Sequence, residues 1–353
     1  MTRRDRKLEI EQLLLSQVAE HPRDLVRVVA EKSGLSRVAV ATRVRDLITE
    51  GFLQKKGTTR PVYSPGRRRR AGLRYLIDGL QEDRVWTRDV QPVLDGLPRN
   101  VLDICHHGVT EMVNNAIDHS EGETVRLEVV RGGNRIFLSV IDDGIGIFRK
   151  ISRALDLPDE RLALLELSKG KLTTDPRRHS GEGVFFTSRM FDRFEIQSRG
   201  IVFDHDAAEP DDVLFDVDEE SEFSGTTVRM EIAGDSTRTA QEVFAEFSSG
   251  PDEYAFAKTI VPVRLAKVGD ENLISRSQAK RLLRRVERFR CVMLDFEGVP
   301  AIGQAFADEI FRVFATEHPE VELAAIHAAA EVQQMIRRAE VLRDEGGDQL
   351  SLL

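Results

Sequence analysis

Apolar positions recur along this chain with two different periods, and the points where the period switches divide it into regions. From Arg6 to Val18, Asp24 to Ser33 and Arg37 to Glu50 they return every three or four residues, which predicts three helices. Gly34 and Gly51 supply stops, and Ser36 offers a hydroxyl to cap the third helix. Val38, Val40, Val44 and Leu47 of that helix are expected in its core. Phe52 to Pro65 reads as a short basic hairpin, and about 71–100, through Leu73, Leu76 and Leu80, as a connector helix. Helical spacing returns around Glu111. Alternating, β-branched runs then predict strands over Arg135–Ile141 and Gly225–Ile232.

From Thr259 onward the two periods alternate. Thr259–Val263 is strand-like, Ser277–Phe289 helical, and Arg290–Val299 a buried strand. Gln304–Phe314 is helical, Val321–Ile326 a strand, and Ala328–Arg338 a last helix. Such alternation predicts an α/β layer domain. Ser277 is expected to cap the first of these helices. The whole is an α/β multidomain chain, with domains expected at 1–66, 95–235 and 252–342, a connector at 67–94 and a flexible tail at 343–353.

Composition sharpens this picture. The length of 353 residues suits three small domains, each with a core. Residues 1–70 hold 17 Lys and Arg against 8 Asp and Glu, whereas the whole chain carries a net charge of −9. A basic module on an acidic body suits local contact with phosphates rather than general coating of nucleic acid. The Arg67–Arg70 run either adds phosphate contacts or forms a solvated linker face. Ala207–Ser224 is acidic and expected to be an exposed excursion. The start has no apolar core of a signal peptide and no run approaches a membrane span, so a cytoplasmic protein with no membrane contact is expected. Cys105 and Cys291 are the two cysteines; both lie in apolar-periodic segments and are expected reduced.

Candidate chemistry begins at Glu111-Met-Val-Asn-Asn-Ala-Ile-Asp118. Glu111 and Asn115 stand four apart, which stacks a carboxylate and an amide on one helix face. A carboxylate can deprotonate a nucleophile, and an amide oxygen can take one position on Mg²⁺. The same spacing also occurs on ordinary solvated helices. Ser139-Val-Ile-Asp-Asp-Gly-Ile-Gly146 ends a strand in carboxylates and bare backbone, where glycines permit positive φ or close approach of a ligand. His179-Ser-Gly-Glu-Gly-Val184 offers free N–H groups to a phosphate at a helix start. Gly225-Thr226-Thr227 opens one further strand. His106 and His107, beside Cys105, lack metal-ligand spacing and are expected to pack on their helix.

In this order the motifs resemble those of the GHKL ATPase superfamily, which includes gyrase-type topoisomerases, MutL, heat-shock chaperone ATPases, and the two-component and anti-sigma kinases. The resemblance covers roughly residues 95–235 and implies a Bergerat-type α/β sandwich that binds ATP and Mg²⁺. It makes Glu111 the general base and Asn115 the Mg²⁺ ligand, with Asp118 on the same motif. Asp142 would accept the adenine amino group, with Gly144 and Gly146 making room for the base. Ser180, Gly181, Glu182, Gly183 and Val184 would cradle phosphate, and Thr226 would support the adenine end. The interval 148–178 would be the lid, from which Lys169, Lys171, Arg177 and Arg178 could reach phosphates; the alternative is a solvated basic loop. Glu111, and the lack of a His-Glu phosphoacceptor helix, bring the chain closer to anti-sigma serine kinases or hydrolases than to two-component kinases. The superfamily also implies pairing of two copies.

The first 65 residues resemble a winged helix-turn-helix domain. That likeness places Arg37, Thr42, Arg43 and Arg45 toward DNA, with Lys55, Lys56 and Arg60 on the wing. The alternative is a protein-docking module. The phrase Leu294–Phe314 resembles the STAS fold of anti-sigma-factor antagonists, and more closely a STAS-like domain found behind GHKL ATPases. Antagonists carry a phosphorylated serine where this chain has Ile302-Gly-Gln-Ala-Phe306, so a switch there is not expected; Ser275 and Ser277 are alternative acceptors. Three functions follow: an ATP-responsive transcription regulator, a serine/threonine kinase acting on its own STAS-like domain or on a partner, or a clamp-like ATPase that docks partners through its flanking domains.

Overall fold

A computed structural model describes residues 10–11, 13–18, 20–66, 69–132, 134–172, 181–208, 213–216, 224–250, 253–268 and 271–350. The chain forms two compact units: Met1–Gly146 with Phe191–Gly200 and Glu219–Thr239, and Ile147–Met190 with Ile201–Asp218 and Ala240–Leu353.

The first unit starts with helical residues at 10–11 and 13–17, then α1 (Leu25–Ser33) and α2 (Arg37–Thr49). Gly34 ends α1 at φ 68°, and the Ser36 hydroxyl accepts the Ala39 N–H to start α2. β1 (Leu53–Lys56) and β2 (Val62–Pro65) pair antiparallel behind them. Leu14, Leu25, Val40, Val44, Leu47 and Phe52 share one core. Val38, expected in that core, is 74% exposed. It falls on the helix face away from Val40, Val44 and Leu47, which already fill the seam.

β3 (Arg69–Leu76) opens a sheet continued by β4 (Thr124–Gly132), β5 (Arg135–Asp142), β9 (Thr227–Ala233) and β6 (Arg193–Ser198), in that spatial order and antiparallel throughout. The connector helix expected over β3 is therefore a strand. Its residues alternate, with Leu73 and Tyr75 half-buried and Arg74 and Leu76 exposed. Gly72 weakens a helix there, and the β4 edge offers unpaired backbone groups. Helical structure follows only at Glu82–Val85, Trp86–Val90 and Gln91–Leu94. The long helix α3 (Arg99–His119) buries Val101, Ile104, Val109, Met112, Val113 and Ala116. The strands turn Val125, Leu127, Val129, Ile136, Leu138 and Val140 inward, each contributing about 1.5–3 kcal/mol by leaving water. Gly108 of α3 lets the helix close on the sheet: a Cβ there would stand 2.6 Å from the Phe191 ring. Arg70 ties the N-terminal helices to this sheet through ion pairs with Glu11 and Glu50, and its guanidinium lies over the Phe52 ring.

The second unit holds β7 (Ile201–Asp206) paired with β8 (Val213–Asp216), and the helices α4 (Ile147–Leu155), α5 (Leu162–Lys169) and α6 (Gly183–Met190). β10 (Ser248–Gly250) and β11 (Glu253–Phe256) form a small hairpin. β12 (Lys258–Pro262), β13 (Cys291–Asp295) and β14 (Glu322–Ile326) then build a parallel sheet with helical crossovers, as the alternation predicts. The first crossover is α7 (Arg276–Leu283); the second runs through Gln304–Asp308 into a π-helical turn, Glu309–Phe314. Ser275, two residues before the expected Ser277, caps α7 in a reciprocal capping box with Gln278. The last helix, α8 (Ala330–Leu350), continues through most of the segment expected as a tail. Among the described residues no helix is long and apolar enough to cross a membrane.

Candidate nucleotide site

Two regions carry the motif residues, one in each unit. In the first, β5 ends at Asp142, which is 7% exposed. Its Oδ1 accepts the Gly144 N–H at 2.9 Å and the Thr226 N–H at 3.2 Å, and its own N–H donates to the Thr226 carbonyl at 2.9 Å. Burial raises the Asp142 carboxyl above the usual range, against the pull of those backbone donors. Gly144 lies so close to Ser120, at the end of α3, that a Cβ would overlap the Ser120 carbonyl. Gly146 has φ 89°, and a Cβ there would meet the Ser198 hydroxyl and, at 2.8 Å, the Ser224 carbonyl. The Ile145 N–H donates to Ser120 O at 2.9 Å, so the loop is pinned to the helix that carries the next motif.

Asp143 has a different task. Its Oδ1 accepts the Glu123 and Thr124 N–H groups at 2.9 and 2.8 Å, and its Oδ2 accepts the Thr124 hydroxyl. Partial burial opposes ionisation, but these bonds outweigh it and hold the carboxyl below the usual range. It staples the α3–β4 turn. Along α3, Glu111 and Asn115 are half-buried and Asp118 is exposed, and their spacing sets all three on one face of the helix. One turn earlier, His107 is pulled down to about 4 by burial and then by His106. His106 packs edge-on against Trp86 at 4.8 Å. Cys105 is fully buried, and burial pushes its thiol up to about 12, so it is inert.

The second region joins α5 to α6. Every residue of α5 is buried, Lys169 and Glu166 included. Lys169, expected to reach phosphate, instead pairs with Glu166 Oε1 at 2.9 Å and donates to the Arg284 carbonyl at 2.8 Å. Burial lowers its ammonium to about 8, against the pull of Glu166. A lysine that closes a buried ion pair has no reach left for solvent. Lys171 is seated on the same side: its Nζ donates to Arg288 O at 2.9 Å and lies 4.7 Å over the Phe289 ring. Gly181 has φ 75° and rests on the Leu172 backbone, whose N–H donates to the Gly181 carbonyl at 2.9 Å. Glu182 precedes α6, Gly183 begins it and Val184 follows, all half-buried. Ser180, Arg177 and Arg178 lie outside the described residues. Among the described residues no group of three or more His, Cys, Asp or Glu side chains could hold a metal by itself.

Residues 81–202 match the family model of a histidine kinase-like ATPase domain. Residues 278–333 match a STAS-like domain of unknown function. The chain thus carries a GHKL-type ATPase domain in its middle and a STAS-like domain behind it. No curated protein matches the chain.

At the N-terminus, Arg37, Thr42, Arg45, Lys55, Lys56 and Arg60 are exposed. Arg43 is half-buried and pairs with Asp46 at 3.1 Å. Where antagonists of sigma-factor regulators place a serine, Gly303 caps the helix, and a Cβ there would sit 2.7 Å from Ile274 Cα.

Proposed function

We propose that this chain is an ATP-binding regulatory protein that reads DNA through its N-terminal helices and hairpin. The observation that carries the nucleotide reading is the Asp142 cluster: a buried carboxylate oriented by two backbone N–H groups, between glycines that leave no room for a side chain. In this reading Asp142 and Thr226 receive the adenine, with Gly144 and Gly146 against the ring. Gly181 and Gly183 present backbone N–H groups to phosphate at the start of α6, with Glu182 and Val184 completing the turn. Asn115 supplies an oxygen to Mg²⁺, which when bound neutralises phosphate charge, with Asp118 on the same nucleotide-binding motif. Isothermal titration tests it directly: Asp142→Ala must abolish ATP binding that the unaltered chain shows, and equal binding by both would overturn the assignment.

The DNA part rests on the exposed face of α2. Val38, Thr42 and Arg45 lie one turn apart along it, a methyl-bearing, a hydroxyl and a forked cationic side chain. Such a face suits a major groove, where an apolar group meets thymine methyls and Arg meets guanine. Lys55, Lys56 and Arg60 on the β1–β2 hairpin suit the phosphate backbone. A regulator of this kind changes its DNA affinity on binding Mg·ATP by at least about fivefold. Anisotropy with a labelled duplex measures this, and identical curves with and without nucleotide would refute it.

Turnover is assigned to Glu111, a half-buried carboxylate on the face it shares with Asn115. With γ-labelled ATP, label on the protein that disappears in Glu111→Ala identifies a serine/threonine kinase. Free phosphate alone identifies a hydrolytic switch.

A further inference from the structure

The short segment 169–172 precedes the phosphate-side glycine loop, and four of its polar groups, the carbonyls and ammonium groups of Lys169 and Lys171, are held by the C-terminal α/β region. The Thr259 hydroxyl of β12 donates to the Lys169 carbonyl at 2.8 Å, with Thr259 itself fully buried. The Lys169 ammonium donates to Arg284 O. The Arg285 guanidinium forks: one nitrogen donates to Glu166 Oε2 at 3.2 Å, the other to the Lys171 carbonyl. The Lys171 ammonium returns to Arg288 O. The next residue, Leu172, carries the N–H that holds Gly181.

Two further observations mark this as a built device. Arg285 and Lys171 both adopt left-handed backbone, φ 68° and 49°, although neither is glycine. Such strain persists only where surrounding contacts over-determine it, and here the two strained residues bond each other. Gly170, just before Lys171, has φ 76° and leaves no space for a Cβ beside the Phe256 ring. Phe256 in turn packs at a tilt against Phe185 of α6, ring centres 4.5 Å apart, and edge-on against Phe289 at 5.2 Å. Lys171 before Gly181–Gly183 and Phe185 after it thus both contact the C-terminal region.

We propose that Arg285 and Thr259 are positioning residues for the phosphate-binding loop, so that the STAS-like region sets the affinity for the phosphates of the nucleotide. The proposal rests on the ATP reading given above. It has a specific signature: the phosphate-side loop shifts while the Asp142 cluster, built wholly from the other unit, does not. ATP affinity then falls and adenosine affinity stays.

The experiment titrates full-length protein with Mg·ATP and with adenosine, for the unaltered chain, Arg285→Ala, Arg285→Lys and Thr259→Val, with a thermal melt for each. Arg285→Ala is expected to weaken ATP about tenfold or more, as loss of a charged hydrogen bond implies, and adenosine less than about twofold. Arg285→Lys keeps the charge beside Glu166 but has one nitrogen; it should recover the melting temperature more fully than the ATP affinity. Thr259→Val keeps the shape and should weaken ATP about threefold; it carries the comparison if Arg285→Ala does not fold. Equal loss of ATP and adenosine, or ATP affinity that follows stability alone across the variants, would overturn the proposal. No ATP binding by the unaltered chain would instead overturn the ATP reading itself.

Discussion

The Asp142 loop and residues 169–172 with Gly181 solve the same problem with different materials. Both place glycines at positive φ against a neighbouring backbone, and both bury charge. At Asp142 the charge is met by backbone N–H groups of Gly144 and Thr226, and close approach to Ser120 does the rest. At 169–172 the Lys169 charge is met by the Glu166 side chain, which also takes Arg285, and by the Arg284 carbonyl just after α7. Backbone-held geometry has few parts to vary. Side-chain-held geometry depends on partners more than a hundred residues away, and any change in those partners is felt at the loop.

The sharpest way to break this contrast is Glu166→Ala. It leaves Lys169 and Arg285 buried without a carboxylate, and should cost about 3–5 kcal/mol in urea unfolding. A loss under 1 kcal/mol would mean that the cations find water, and that this region is no more ion-dependent than the first.

The helix beside the Asp142 loop answers to pH instead. His107 is held near 4 in the fold against about 6.5 in the unfolded chain. The unfolded state therefore binds the proton first. Stability from this ring is complete above pH 6.5 and declines as the pH falls toward 4, by up to about 3 kcal/mol. Melts of the unaltered chain and of His107→Gln should diverge in slope across that window; parallel curves would dismiss the buried ring as the cause.

Gly144→Ala should cost about 1–3 kcal/mol, because a Cβ must displace the Ser120 carbonyl, and should weaken adenosine as well as ATP. Adenosine affinity unchanged would separate the loop from the base. Smallest is the capping pair: Ser275→Ala loses about 1 kcal/mol, whereas Ser277→Ala stays within about 0.5 kcal/mol. The reverse order would return the cap to Ser277.

What could be read beforehand follows the same division. Glycines that need positive φ, strands with period two and helices with period 3.6 are local properties, so α3, β5, β9 and the Asp142 loop stand out in the sequence. The partner of a charge is not local. Lys169 looks like a loop cation until Glu166, three residues earlier, is seen turned inward with it. Arg285 has no motif of its own; its left-handed backbone and its bonds to Glu166 and the Lys171 carbonyl appear only in the structure. β3 reads as a helix because its pairing with β4 is fifty residues distant. Val38 reads as core because a valine in a helix gives no hint that its neighbours have filled the seam. Ser180 and the lid arginines lie outside the described residues.

Thr259 has a bearing on ancestry. The sequence invites a cut near residue 250, between two regions that look like separable cassettes. A recombination event there, pairing this ATPase region with a foreign C-terminal partner, would strip the Lys169 carbonyl of its hydroxyl donor and Glu166 of its second cation. Compatible copies of the two regions would have to travel together, and substitutions at 166, 169, 259 and 285 should be inherited as a linked set.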